Sequence, residues 1–88
     1  MQVQNMTNNN YNTVPNQFTI EDKGNRYFQS YTTIIVKIDK KGQVYLDINA
    51  WDYSRTTSKY RNIFLNTDTK TIKANIKSGE YKLKDLNK

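Results

Sequence analysis

Fourteen Lys and Arg side chains, seven Tyr and one Trp supply most of the chemistry open to this 88-residue chain, which has neither His nor Cys. Zinc sites, thiol nucleophiles and histidine bases each need one of the two missing types. Eight carboxylates remain: Glu21, Asp22, Asp39, Asp47, Asp52, Asp68, Glu80 and Asp85. They are scattered, mostly beside expected turns or helix ends, whereas carboxylate catalysis needs a convergent pair in a cleft. The residue types therefore point to binding and not to catalysis, with no metal and no cofactor.

The basic residues are unevenly distributed. Residues 1–26 and 27–52 each balance their charges, whereas residues 53–88 hold nine basic against three acidic side chains and so carry the whole net charge of +6. Lys70, Lys73 and Lys77 have the three- and four-residue spacing that stacks side chains on one helix face, and so do Arg55 and Lys59. Two such ridges on packed helices would attract phosphate backbones by counterion release without reading any base. A solvated lysine-rich surface is the bland alternative, because Lys dominates and bidentate Arg recognition would be the sharper signal.

Aromatic side chains form a second set. An expected hairpin register puts Tyr31, Tyr45 and Trp51 on its non-core side with Lys37, and Tyr27 extends the row. Aromatic rings interleaved with basic groups on a sheet hold single strands by stacking on their bases. The alternative is that another element covers this face and makes the rings core. A third feature is Asp52-Tyr53-Ser54-Arg55-Thr56-Thr57-Ser58-Lys59, whose hydroxyl groups at a helix start could receive a phosphate. Asp52 opposes an anion there, so capping by Ser54 or Thr56 is the expected role.

The elements that must position these residues can be read from periodicity. Residues 1–16 are rich in Asn, Gln and Thr and carry no charged side chain, which predicts a disordered polar arm. Residues 17–88 are then a single small domain, in which Gln17 to Ile20 could form a short strand. From Tyr27 to Trp51 the pattern predicts a hairpin around Asp39-Lys40-Lys41-Gly42. With Asp39 opposite Gln43, Ile38 faces Val44, Val36 faces Leu46 and Ile34 faces Ile48; a slip of one residue would mix apolar with polar faces. After Trp51 the period lengthens: Tyr53, Thr57, Tyr60 and Phe64 share a stripe, predicting a helix over Arg55 to Leu65. A second helix over Thr69 to Ser78 can be capped by Thr67 or Asp68 and ended by Gly79. Tyr81 and Leu83 alternate with Lys82 and Lys84 as in a short last strand. The expected fold is thus α+β in the order β-β-α-α-β behind a disordered N-terminal arm.

Apolar residues make up 35% of the chain, below the roughly 45–50% usual for globular proteins, so the core must be small and support from a homodimer is a candidate. The lack of Cys argues for a reducing compartment. The N-terminus lacks the apolar run of a signal peptide, and no stretch approaches the roughly 18 apolar residues of a membrane span. A cytoplasmic protein without membrane attachment is expected.

Ser30-Tyr31-x-Thr33, Val44-Tyr45-Leu46 and Asp52-Tyr53-Ser54-x-Thr56-Thr57-x-Lys59-Tyr60 followed by Phe64-Leu65 resemble a group of small uncharacterised bacteriophage and mobile-element proteins. The similarity covers roughly residues 28–86. It implies an accessory protein acting inside a host bacterial cell. Such proteins bind nucleic acid or block a host enzyme or defence complex, including as anti-CRISPR inhibitors. Inhibitors that imitate DNA are acidic and this chain is basic, whereas a steric blocker or a guide-RNA binder fits its charge. The leading expectation is a nucleic-acid-binding protein, for DNA or RNA, that uses Arg55, Lys59, Lys70, Lys73 and Lys77 with Tyr31, Tyr45 and Trp51. The alternative is a protein–protein inhibitor or adaptor of a host protein or ribonucleoprotein.

Overall fold

The computed structural model describes residues 1–8 and 10–88. Strands β1 (Gln2–Thr7), β2 (Thr13–Asp22), β3 (Asn25–Ser30), β4 (Thr33–Ile38) and β5 (Val44–Asp47) come first. Helices α1 (Arg55–Leu65) and α2 (Thr69–Ser78) and strand β6 (Tyr81–Lys84) follow. The six strands form one sheet in chain order, antiparallel throughout except for the parallel β5–β6 pair that the two helices connect. A mixed six-stranded sheet replaces the expected β-β-α-α-β arrangement.

The N-terminal arm is the main correction. Residues expected to be disordered form β1 and the start of β2, whose ladder pairs Gln2 with Glu21, Val3 with Ile20 and Asn5 with Phe18. Asn9, also part of that expected arm, lies outside the described residues. Disorder was inferred from the scarcity of apolar side chains, but a paired strand needs few of them: its backbone groups are satisfied by the ladder, and only alternate residues need cover. Met6 and Val14 supply that cover and are buried in the core. Lys23 and Gly24, both at positive φ (54° and 86°), form the two-residue turn between β2 and β3 that a type I′ hairpin requires.

The β4–β5 register pairs Val36 with Leu46, Lys37 with Tyr45 and Ile38 with Val44. The connecting loop turns on Gly42 at φ 88°, whose amide donates to the Asp39 carbonyl at 2.9 Å, while the Asp39 carboxylate accepts from the Lys41 and Gln43 amides. The expected pairing does not continue to Ile34–Ile48, because the chain turns away after Asp47. The Trp51 amide returns to the Asp47 carbonyl at 3.0 Å, and the Asp47 carboxylate accepts from the amides of Asn49 and Leu86. Where β5 stops, the Asn87 side chain takes its place beside β4, accepting from the Ile34 amide at 2.7 Å and donating to the Ile34 carbonyl at 2.9 Å.

Both helices lie on one face of the sheet, where Phe28, Val36 and Leu46 are fully buried with Tyr60 and Ile72. Phe64 stacks on Phe28 with ring centres 5.9 Å apart, and the Arg26 guanidinium lies 5.1 Å from the centre of the Phe64 ring. A bulge between β3 and β4 leaves Ile35 without a partner, so that Ile35 and its neighbour Val36 are both buried. Ser54 caps α1 by accepting from the Thr57 amide, and α1 ends at Asn66 in the left-handed conformation. Asp68 caps α2 in the same way through the Thr71 amide, and Gly79 ends it at φ 89°. No helix among the described residues is long and apolar enough to cross a membrane.

Candidate functional site

Side chains one residue out of step with Phe28, Val36 and Leu46 point to the opposite face of the sheet. The ladder joins four of them into a row across adjacent strands: Tyr27 on β3, Lys37 on β4, Tyr45 on β5 and Lys82 on β6. The Lys37 ammonium sits between two rings, 6.0 Å from the centre of Tyr27 and 5.9 Å from that of Tyr45. Lys84 approaches the Tyr45 ring at 5.6 Å. These are cation–π distances, and they hold flexible lysines over the rings. The row continues through Ile20 to Val3 on the far strands, and a second row carries Phe18 on β2 and Ile34 on β4. Tyr27, Tyr45, Phe18, Ile20 and Ile34 are all half-buried, as expected of side chains standing on a sheet whose helices lie on the other side.

The five basic residues singled out from the sequence are all exposed, and among the described residues none is in an ion pair. They do not form one surface. Lys59 on α1 borders the β1–β2 end of the molecule, sharing a cleft with Thr7, Asn8 and Asn10. Lys70, Lys73 and Lys77 are on α2, which packs beside β6 at the opposite edge of the sheet. β6 carries exposed Lys82 and Lys84, so the basic residues of α2 and β6 share this edge of the sheet, where Lys82 pairs with Tyr45. Lys82 and Lys84 were not singled out, because a parallel pairing with β5 has no local signature in the sequence.

Of the three expected stacking residues, only Tyr45 stands on this face. Tyr31 occupies the two-residue turn between β3 and β4 at φ 57° and is 58% exposed. Trp51 lies beyond the end of β5 and packs half-buried against the core, with the Arg61 guanidinium 5.4 Å from its ring. The Arg61 side chain, counted in the sequence only as positive charge, has no solvent exposure. It donates to the Trp51 carbonyl at 2.6 Å, to Asp52 at 3.4 Å, to Asn62 and to the Thr69 hydroxyl at 2.8 Å. Burial pushes the guanidinium below the ordinary arginine pKa, and the hydrogen bond and charge of Asp52 oppose that shift. Arg61 thus holds the loop before α1 to the first turn of α2, a structural role.

Among the described residues no three His, Cys, Asp or Glu side chains are grouped to hold a metal. Asp39, Asp47, Asp52 and Asp68 are each engaged in a turn, a cap or the Arg61 contact. What the open face offers is rings, ammonium groups and apolar area. Such a surface stacks planar groups and neutralises phosphates.

Neither a curated protein nor a solved structure matches the chain. Residues 1–81 match a family model, and the matched span takes in β1 and β2 together with the rest of the sheet up to the first residue of β6. The chain therefore belongs to the family of unknown function DUF8033.

Proposed function

We propose that this protein is a non-catalytic binding module for single-stranded nucleic acid, DNA or RNA, held on the open face of its sheet. The reading rests on one observation: aromatic and ammonium groups alternate in a single row, Tyr27–Lys37–Tyr45–Lys82, with Lys84 beside it. Unpaired bases stack on the two rings while the lysines meet the phosphates on either side. The α2 ridge of Lys70, Lys73 and Lys77 extends the positive field around the β6 edge and draws the strand in. The basic helical surface thus becomes an approach to the site, with the sheet as the platform. Duplex bases are already stacked on one another and cannot use the rings. Competition between a single strand and its duplex for the protein is the test: preference for the single strand is expected, and equal binding of both would refute the platform.

A second reading, a protein partner, draws on the other half of the same face. Val3 is 53% exposed there beside Phe18 and Ile20, with no charged neighbour in either row on β1 and β2. Capture of one host protein in stoichiometric amounts from a nuclease-treated lysate would favour that reading. Loss of capture on nuclease treatment would favour the first.

A further inference from the structure

Ser30 at the end of β3 and Thr57 in α1 are buried, with their hydroxyl oxygens 3.0 Å apart, and the Ser54 hydroxyl donates to Thr57 at 3.1 Å. This hydroxyl chain forms one wall of a cleft of about 690 Å³, within the size range of small-molecule sites. Ile35 and Ala50 are its buried floor, and Tyr31 and Tyr53 stand at its mouth, 58% and 75% exposed. No charged side chain lines it, although a quarter of the chain's residues are charged. The group that enters must therefore be neutral, and the walls offer it rings to stack on and hydroxyl and amide groups to bond its edge.

The backbone at Tyr31 adds a second observation. A bulky residue at φ 57° occupies a turn position where glycine is usual, which costs about 1–2 kcal/mol. The conformation is fixed from outside: the Tyr31 amide donates to the Asn16 carbonyl at 2.7 Å, and its carbonyl accepts from the Gln29 side chain at 2.7 Å. The ring gains little burial in return. Tyr11 is held likewise at φ 61° in another turn; Tyr31 differs in that its ring stands at the mouth of a cleft. The segments Ser30-Tyr31-x-Thr33 and Tyr53-Ser54-x-Thr56-Thr57, far apart in sequence, meet at this cleft.

We infer that the cleft is a nucleobase site, in which a planar neutral heterocycle stacks against Tyr31 and Tyr53 and bonds through its edge to the Asn49 amide and the hydroxyl wall. Arg55 is exposed in the first turn of α1, next to Ser54, and meets the phosphate of the same nucleotide. Asp52 does not repel that phosphate strongly, because its carboxylate is engaged by Arg61 and by the Ser58 hydroxyl. The Tyr31–Thr32 turn is at the end of the sheet, where a strand leaving the open face can pass to the helix side. The inference rests on the single-strand reading for one source of the base; a free nucleotide offers the same chemistry.

The test is ¹H–¹⁵N NMR of the full chain with adenosine and uridine monophosphates, with ribose 5-phosphate, and with a single-stranded oligonucleotide. Saturable shifts of the 30–33 and 49–57 amides are expected with the mononucleotides and the oligonucleotide, whereas ribose 5-phosphate should at most move the amides around Arg55 and leave 30–33 and 49–50 unmoved. Tyr31→Gly, which removes the ring and relieves the backbone, should remain folded and weaken the mononucleotide about fivefold or more. Mononucleotide shifts confined to the Tyr27–Tyr45 row, or equal cleft shifts with ribose 5-phosphate, would overturn the cleft site. So would oligonucleotide binding that leaves the cleft unmoved, although the sheet reading would then stand. Cleft shifts with mononucleotides but no oligonucleotide binding would uphold the cleft and remove the sheet reading.

Discussion

Arg61 carries a full charge into a site without solvent exposure and makes five hydrogen bonds there to four acceptors, contributed by Trp51, Asp52, Asn62 and Thr69. Arg61→Ala removes the fork, empties its volume and strands buried acceptors, so a loss of about 2–5 kcal/mol is expected. Urea unfolding would measure it. Arg61→Met keeps most of the side chain's volume and should lose clearly less. Arg61→Lys cannot reproduce a planar fork aimed at several acceptors and should resemble the alanine variant more closely than the charge suggests. The role was partly legible in the sequence: Arg61 is four residues after Thr57 and three before Phe64, which puts it on the buried stripe of its own helix. What the spacing could not show is that Trp51 and Thr69 come within reach of its guanidinium, since those contacts depend on how the loop and α2 pack. Tyr31 and Trp51 were misplaced for a related reason. Alternation carried past Asp47 keeps Trp51 on the face of Tyr45, but the buried Asp47 carboxylate turns the chain there, and Tyr31 falls in the β3–β4 turn that breaks the expected first hairpin strand in two.

Both helices were readable because each of their signals is local. The stripe of buried residues, the capping side chains Ser54 and Asp68, and the left-handed stops at Asn66 and Gly79 lie within a few residues of one another. Asp68 also makes the start of α2 sensitive to acid. The Thr71 amide donates to its carboxylate at 2.7 Å and, with the nearby Lys70 charge, holds the carboxyl below the ordinary carboxylate range. A carboxyl depressed in the folded state contributes stability that is present above its unfolded pKa and is lost as pH falls through the folded one. Asp68→Asn keeps a capping acceptor but cannot titrate. Its urea midpoint should match the parent near neutral pH and fall less than the parent's towards pH of about 3; a parallel fall in both proteins would show that Asp68 is not responsible. Gln17 to Ile20 and the last strand were expected, but β1, the first part of β2 and the pairing of β5 with β6 were not readable in this way. Their stability comes from neighbours distant in the chain, and neither a polar composition nor a four-residue alternation records which neighbour will be there.

At the scale of the whole molecule, the segregation of charge seen in the sequence survives, but the fold changes its meaning. The lysines of residues 53–88 separate into Lys59 by the β1–β2 end and an α2–β6 group at the opposite sheet edge, and only the second includes members of the aromatic row. That an aromatic face stands open could not be read from residue types, because it depends on both helices settling on the same side. If Lys37, Lys82 and Lys84 are the phosphate contacts, the logarithm of affinity should fall against the logarithm of salt with a slope of about −2, steepening towards about −4 if the three α2 lysines take part. The most direct measurement is fluorescence anisotropy of a labelled single strand of roughly 12 nucleotides, titrated at about 50 mM salt with the parent protein and with Tyr27→Ala/Tyr45→Ala. The expected result is binding by the parent and a loss of about tenfold or more in the double variant, because two stacking platforms are gone while every lysine remains. No binding by the parent, or equal binding by the two proteins, would contradict the open sheet face as the site.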